Sequence, residues 1–526
     1  MIERRSGDAF SLREHALLAS MHATSRSYYA LVGGLVAVII WGLIGYSMQL
    51  RYGLGVTGLR DNFMWGVYIT NFVFFIGVSH VGALMSAILR LTGAEWRRPI
   101  TRMAEAITFA SLLMGALMPF VDMGRPDRFL NLLLHGRLQS PILWDIMSIG
   151  TYLAGSTLFL YVPMIPDIAL LREHYARGPA WRRRLYTVLA LGWRGLPAQK
   201  HHLETVMAVL AVLIIPIAIS VHTVVSWIMG MTLRAGWNST IFGPYFVSGA
   251  LFSGAAAVVT AMAAFRRAYH LEDYITVQHF KRMGYLVITL GVIYAYFTFA
   301  EYWTPTFKMA AHERGYLSAV LSGKFAPLFW FTQIGGLLVP LLLLTLPTIS
   351  KVARLREISM LQPRPALAAA AATAALFVFG SLSGSPAAAL IDGAALRALL
   401  PWVAVPFGIW LFVAFLPAFR ERPVAAAVVA SVLVNIGAWI KRFVIIVPTL
   451  QFPFLPIQRA PAGWAFYHPS WVEWSITAAA LAGFVLIYIL FSKLFPIVSM
   501  WETRAEQAGP AGPEPAPGGV AHAPAP

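Results

Sequence analysis

The chain has 526 residues, of which 58% are hydrophobic and 12% are charged, and its mean hydropathy is +0.67. These values lie far outside those of soluble domains and predict an all-α, polytopic integral membrane protein. The absence of cysteine excludes disulfides, cysteine-ligated zinc and an iron–sulfur cluster held by this chain alone. The +17 charge would suggest nucleic acid in a soluble protein, but basic residues of membrane proteins lie mainly in topogenic loops, so no nucleic-acid partner is expected.

A membrane-spanning helix needs about 20 apolar residues, and twelve runs of the sequence reach that length. In chain order they cover approximately 29–50, 63–90, 102–122, 142–166, 203–230, 242–265, 284–304, 326–349, 366–386, 399–419, 424–447 and 472–496. The ninth and tenth runs are candidates for an additional hairpin, and the ninth is Ala-rich with a Gly-Ser-Leu-Ser-Gly-Ser stretch, so the sequence predicts 10–12 transmembrane helices. The first run is too long for a signal peptide and is interpreted as an uncleaved span.

These runs divide the chain into five parts. A cytoplasmic N-terminal segment (1–28) precedes the main transmembrane region (29–350). An additional hairpin region (351–423) and the C-terminal transmembrane helices (424–498) follow. The last part, 499–526, is rich in Pro, Gly and Ala, a composition that predicts a disordered tail.

Lys and Arg residues are distributed unequally between the two sides of the predicted membrane. When the runs are threaded alternately, 27 of the 40 basic residues lie on one side and 11 on the other, with Lys441 and Arg442 inside a span. By the positive-inside rule the richer side is cytoplasmic. Both termini are therefore predicted to be cytoplasmic, and the connection at 122–145 is predicted to lie outside.

The stretch from Phe120 to Asp145 is the most polar part of its neighbourhood and is bracketed by Asp122 and Asp145. A carboxylate at membrane depth costs several kcal/mol unless it is paired or lines a polar cavity, so it indicates a functional site. Other ionisable residues predicted for this outer layer are Arg125, His222, Glu301, Lys441 and Arg442. The alternative is structural ion pairing, in which Arg442 or Arg125 neutralises Asp145 or Glu301.

Three ionisable residues are predicted nearer the cytoplasmic side: His80, Glu105 and Glu204. They are candidates for a proton path, although His80 can equally be a hydrogen-bonded core residue and the carboxylates can be solvated. Counted along their helices at 1.5 Å per residue, His80 lies about 25 Å from an outer end and His222 about 30 Å from an inner end. A bis-histidine haem needs two imidazoles at one depth, so these opposed depths predict that the chain holds no redox metal.

Several long motifs resemble the NrfD/PsrC family, the polysulfide-reductase type of membrane quinone subunit. They are NFMWGVYITNFVFFIGVSHVGALMSA from Asn62, DMGRP from Asp122, SPILWD from Ser140, SVHTVVSW from Ser220, GWNSTIFGPYFVSGALFSG from Gly236, HLEDYIT from His270 and KRFVIIVPTL from Lys441. The resemblance covers about 60–350 and 425–498, and it is closest to the ActC type of alternative complex III.

The resemblance implies two four-helix bundles in a bacterial inner membrane and a quinone cofactor, either menaquinone or ubiquinone. It also implies an iron–sulfur subunit on the outer face. Molybdopterin-type or cytochrome c subunits and a second membrane subunit are further partners that the resemblance allows. The chain is then expected to be a subunit of a quinol-dependent respiratory oxidoreductase, with coupled proton translocation as a further expectation.

Residues and resemblance together predict a quinol site in the first bundle, beside the connection at 122–145. Proton release requires bases within hydrogen-bond reach of the quinol, and Asp145, Asp122 and His222 are the candidates. Predicted quinone-binding residues are Arg125, Asp145, His222, Glu301 and Arg442, and the predicted proton path consists of His80, Glu105 and Glu204. The alternatives are a secondary transporter or ion channel, and a purely structural anchor of a molybdoenzyme complex.

Overall fold

The computed structural model describes residues 24–61, 63–349, 421–452 and 466–502, with isolated positions at 17, 18, 21, 418 and 419. Within these ranges the chain is helical without strands, and ten helices are long and apolar enough to cross a membrane. The all-α, multi-pass prediction is confirmed. The predicted hairpin lies outside the described residues except for 418 and 419, as do most of segment 1–28 and everything after Glu502.

We number the helices in chain order. The first five are α1 (Arg26–Tyr52), α2 (Val67–Leu91), α3 (Arg98–Asp122), the short α4 (Phe129–Leu134) and α5 (Pro141–Tyr161). The next five are α6 (Ile165–His174), α7 (Ala180–Leu189), α8 (Pro197–Gly230), α9 (Phe242–Ala268) and α10 (Val277–Lys308). The last five are α11 (Ala311–Leu321), α12 (Ala326–Gln333), α13 (Val339–Ile349), α14 (Pro423–Gln451) and α15 (Trp471–Leu494).

Local sequence signals set several helix starts. Ser25 caps α1, where its side chain accepts a hydrogen bond from the backbone N–H of Tyr28. Proline occupies the first turn of α5, α8 and α14, where its missing N–H costs nothing. A capping box formed by Ser470 and Glu473 begins α15. The π-helical segment Ile334–Leu338 joins α12 to α13 in one span.

The spanning helices pack as two groups of four and an accompanying pair. In the first group, α2 packs against α3 and α8, and α5 also packs against α3 and α8. In the second group, α9 packs against α10 and α14, and the span formed by α12 and α13 packs against α14 and α10. Contacts of α9 with α2 and α8 join the groups, while α1 pairs with α15 beside α3.

Close backbone approach between helices depends on glycine at two places. A Cβ atom added at Gly82 of α2 would lie 1.9 Å from the carbonyl oxygen of Ala104 in α3. A Cβ added at Gly437 of α14 would lie 2.5 Å from the Cα of Gly336 in the π-helical segment. Small residues at helix interfaces permit this kind of packing in membranes, so both glycines hold neighbouring helices in contact.

Successive spanning helices run in opposite directions, so the connections between them lie alternately at the two ends of the molecule. The connections at 92–97, 175–196 and 269–276 lie at one end, which we call the basic end, and the connection at 123–140 lies at the opposite end. Residues 495–502 fold across the basic end of the first group and are called the C-terminal strap. Its Met500 and Trp501 N–H groups donate to Asp167, so the packed chain extends beyond the predicted boundary at 499.

Candidate functional site

Two carboxylates lie at the opposite end of the first group, that of Asp122 half-buried and that of Asp145 buried. Asp122 is the last residue of α3, and Asp145 is the fifth residue of α5, a helix that packs against α3. The Oδ1 atom of each carboxylate is buried and has no hydrogen-bond partner. Since an unsatisfied buried acceptor is costly, these two oxygens are the clearest indication of a ligand at this end.

Asp122 borders a polar network shared with the α1–α15 pair. Gln49 of α1 donates to the carbonyl oxygen of Val121 at 2.7 Å and accepts from the hydroxyl of Tyr68, also at 2.7 Å. The carboxylates of Asp122 and Glu473 are near enough to interact electrostatically. Asp122 therefore lies between the first group and the accompanying helix pair.

Glu473 is a buried residue that sequence reasoning missed. Its carboxylate accepts hydrogen bonds from the N–H of Gly58 at 2.6 Å, the N–H of Ser470 at 2.8 Å and the hydroxyl of Tyr467 at 2.5 Å. The Ser-x-x-Glu spacing of a capping box was the available signal. These contacts fasten the connection after α1 to the start of α15, so Glu473 has a structural role beside Asp122.

The imidazoles of His80 and His222 are in contact, with ring centroids 4.6 Å apart. The prediction that they lie at opposed depths is therefore wrong. Helix α8 has 34 residues and is about 51 Å long, more than the hydrocarbon core of about 30 Å. Distance counted along the apolar run from residue 203 overestimated the depth of His222, while His80 lies near the middle of α2.

His80 is held between two carbonyl groups. Its Nδ1 lies 2.5 Å from the oxygen of Ile76, and its Nε2 lies 2.7 Å from the oxygen of Ala218. A neutral imidazole has one N–H, so only the doubly protonated ring can donate to both carbonyls. Neither nitrogen is free to ligate a metal in this arrangement, whereas both nitrogens of buried His222 lack hydrogen-bond partners.

Polar side chains continue from Asp145 toward His80. Tyr152 lies seven residues after Asp145 on the same face of α5, about 10 Å away along the helix. The Tyr152 ring centroid is 5.1 Å from that of His80, and its hydroxyl donates to the carbonyl of Ser79 at 2.9 Å. Thr108 of α3 donates to the same carbonyl at 2.6 Å. Tyr152 and Thr108 were not predicted, because hydroxyl-bearing residues are common on buried helix faces.

Glu105 lies three residues before Thr108, toward the basic end. It is buried and lies within electrostatic range of Arg90, Arg102 and Glu502. Glu502 belongs to the C-terminal strap and pairs with Arg90 at 2.9 Å. The structure therefore places Glu105 beneath the strap, at the end of the first group remote from Asp145.

A second buried polar cluster lies in the second group. Lys441 donates to the hydroxyl of Tyr302 at 2.8 Å, and its ammonium lies 4.2 Å from the centre of that ring. Arg442 donates to the carbonyl of Ala438 and the hydroxyl of Ser253 at 3.0 and 3.3 Å. Neither cation forms an ion pair with a carboxylate in the described ranges, so the ion-pairing alternative for Arg442 is not seen there.

Arg442 and His222 line a common small cavity of about 20 Å³ between the two groups. Its other lining residues are Tyr245, Phe246, Gly249, Tyr294, Lys441 and Ile445. Glu301 lies on α10 in the same group, where it accepts a hydrogen bond from Ser239 at 2.6 Å. The cavity brings His222 and Arg442 together, and their contact with quinone stays a prediction.

Two predicted residues lie at the surface. Arg125 is exposed at the opposite end and pairs with Asp127 at 2.9 Å. The Arg125 guanidinium, as a hydrogen-bond donor, holds the pKa of Asp127 below its ordinary value. Glu204 is exposed near the start of α8. Roles for Arg125 in quinone binding and for Glu204 in a proton path stay predictions.

The ten apolar helices of the described ranges enclose buried ionisable side chains and define a multi-pass integral membrane protein. The family profile described as polysulphide reductase, NrfD matches residues 55–360, more than half of the chain. The chain therefore belongs to the NrfD family, which confirms the resemblance found in its motifs.

Relatives of the chain are named as parts of reductases. A Halobacterium salinarum protein, provisionally named as a dimethyl sulfoxide reductase membrane subunit, is 28% identical over 326 residues, 61% of this chain and 70% of the relative. A selenate reductase subunit of Mesobacillus selenatarsenatis is 26% identical over 338 residues, 61% and 75% of the two chains. The menaquinone reductase integral membrane subunit of Nitratidesulfovibrio vulgaris is 32% identical over 126 residues, 24% and 30% of the two chains.

Proposed function

We propose that the chain is the quinone-reacting membrane subunit of a respiratory electron-transfer complex. The observation that carries this proposal is the pair of buried, unpartnered carboxylate oxygens of Asp145 and Asp122 at the opposite end of the first group. A membrane subunit that served only as an anchor would not need them. The name of the Nitratidesulfovibrio relative supports menaquinone as the quinone.

The two carboxylates fit the hydroxyl groups of a quinol. Each has a buried oxygen without a hydrogen-bond partner, which is a free acceptor for a hydroxyl group. The quinone supplies two-electron, two-proton redox chemistry when it is bound. Asp145 accepts one hydroxyl proton as general base, and Asp122 holds the second hydroxyl.

The polar line through the first group then provides a route for protons. Tyr152 lies between Asp145 and His80, and the two carbonyl contacts of His80 stabilise the ring when it gains a proton. Thr108 and Glu105 extend the line to the basic end, and His222, in contact with His80, connects it to the small cavity at Arg442. Proximity alone does not establish such a pathway, so proton translocation is part of the proposal.

Electrons pass to a partner outside this chain. The names of the relatives place them in multi-subunit reductases, which supports a partner complex here. We assign an iron–sulfur subunit to the opposite end, next to the exposed connection at 123–140, with molybdopterin-type or cytochrome c subunits and a second membrane subunit beyond it. The basic end faces the cytoplasm of a bacterial inner membrane, so both termini are cytoplasmic.

Asp145→Asn in the assembled complex tests the proposal. The substitution keeps the size of the side chain and removes the base, so quinol-dependent turnover should fall by about 10²-fold or more. Reduction of the partner subunits by an artificial donor should be unchanged. Asp61→Asn is the matched control, because Asp61 is an exposed aspartate in the connection between α1 and α2 at the same end of the molecule.

Near-normal quinol turnover in the Asp145→Asn complex would contradict this assignment. The site would then have to lie at another buried polar group, and the cluster of Glu301 and Arg442 in the second group would be the first place to look. Equal losses of quinol and artificial-donor activity would show that the complex had failed to assemble. The quantity of partner subunits retained on the membrane measures assembly directly.

A further inference from the structure

A large cavity lies away from the carboxylates, toward the basic end. It has a volume of about 790 Å³, in the upper part of the roughly 300–1,000 Å³ of ordinary small-molecule pockets. Helices α9 and α14 form one wall, α15 forms the facing wall, α2 forms the floor, and the start of α1 closes the basic end. None of its lining residues belongs to the proposed quinone site.

The shape of the cavity fits hydrocarbon chains. Ala257, Ala261, Ala264 and Ala268 line it along α9, and their small side chains make room for a ligand. Its lining on α15 runs from Leu481 to Lys493, thirteen residues with a rise of about 18 Å. That is slightly more than half of the roughly 30 Å hydrocarbon core, so the cavity spans about one leaflet.

The basic end of the cavity is polar. The ammonium of Lys493 lies 4.7 Å from the ring centre of Tyr269 and 5.1 Å from that of Tyr28. Ser25 and Ser27 line the same end of the cavity. A cation with nearby hydroxyl donors complements a phosphate group, and basic pockets between transmembrane helices bind anionic lipid headgroups.

We propose that this cavity binds one anionic phospholipid from the leaflet at the basic end. Lys493, Ser25 and Ser27 hold the phosphate, and the acyl chains lie between α9 and α15. A quinone has a similar apolar tail, but its neutral ring offers no charge to Lys493. Charge complementarity therefore selects the phospholipid. The lipid stabilises the contact of the α1–α15 pair with the second group.

Native mass spectrometry of the delipidated complex tests this proposal. Phosphatidylglycerol and phosphatidylcholine with identical acyl chains are titrated separately, and the wild-type complex should prefer phosphatidylglycerol. Removal of one basic contact in Lys493→Gln should reduce that preference about fivefold. Lys281→Gln is the matched control, because Lys281 is an exposed lysine near the same end but outside the cavity. Ala261→Phe narrows the cavity and should weaken binding of both lipids.

Equal affinity of the wild-type complex for the two lipids would overturn the proposal, even if Lys493→Gln does not assemble. An undiminished preference in Lys493→Gln, or undiminished binding in Ala261→Phe, would also overturn it. A quinone retained in place of phospholipid, and lost in Ala261→Phe, would assign the cavity to a different ligand. Quinol turnover in Lys493→Gln should stay at the wild-type level. The outcome of the lipid-binding measurement is therefore independent of the assignment of Asp145 as the quinol base.

Discussion

The buried charges at the basic end fix the C-terminal strap to the first group. Arg102 and Asp167 pair there with side chains only 3% and 1% exposed. Asp167 also accepts the N–H groups of Met500 and Trp501 at 3.1 and 2.9 Å. A buried charge that loses its partner is strongly unfavourable, so this pair makes strap docking sensitive to a single substitution.

Arg102→Gln should therefore destabilise the protein by about 3–5 kcal/mol, because it leaves the Asp167 carboxylate buried without its cation. Arg98→Gln, one turn earlier in α3, should cost at most about 1 kcal/mol, since Arg98 pairs with the exposed Glu95. Thermal unfolding of both variants in one detergent, followed by tryptophan fluorescence, measures the difference. Equal losses in the two variants would contradict the structural role of the buried pair.

At the scale of helices, the sequence predicted most of the described fold. All ten predicted runs within the described ranges contain a long helix, because about 20 apolar residues are a strong signal for a span. The depth of individual residues in the membrane was less predictable than the positions of the helices in the sequence. Helix α8 is about 51 Å long, more than the hydrocarbon core of about 30 Å, so distances counted along it did not correspond to depths in the membrane.

The candidate site was only partly predictable for a related physical reason. Ionisable residues inside apolar runs, such as Asp145 and His222, are visible in a sequence because they are rare there. Tyr152, Tyr245 and Glu473 are not, since tyrosine is common in spans and Glu473 lies at a helix start. Their proximity to the ionisable residues depends on how helices pack, for example through Gly82, which hydrophobic periodicity does not specify.

At the scale of the whole molecule, the two ends have different chemistry. The opposite end has two carboxylates with buried oxygens beside an exposed connection, and the basic end has the strap, Glu105 and the apolar cavity. The contact between His80 and His222 lies between them, where the two helix groups meet. Such an arrangement supports quinone chemistry at one membrane surface and proton exchange with the other.

The distribution of basic residues predicts which end is cytoplasmic. Because the chain has no native cysteine, single cysteines can be introduced at exposed positions, Ala176 at the basic end and Gln139 at the opposite end. A membrane-impermeant thiol reagent applied to spheroplasts should label Gln139→Cys and spare Ala176→Cys until the membrane is disrupted. The reverse pattern would invert the proposed orientation.

The central claim is that this chain itself holds the quinone next to Asp145. Illumination of native membranes with a photoreactive quinone analogue, followed by mass spectrometry of the cross-linked peptides, tests it most directly. The label should fall on the end of α3 and the start of α5, around Asp122 and Asp145, and excess native quinone should abolish it. Label confined to the second group, or found only on other subunits of the complex, would contradict the claim.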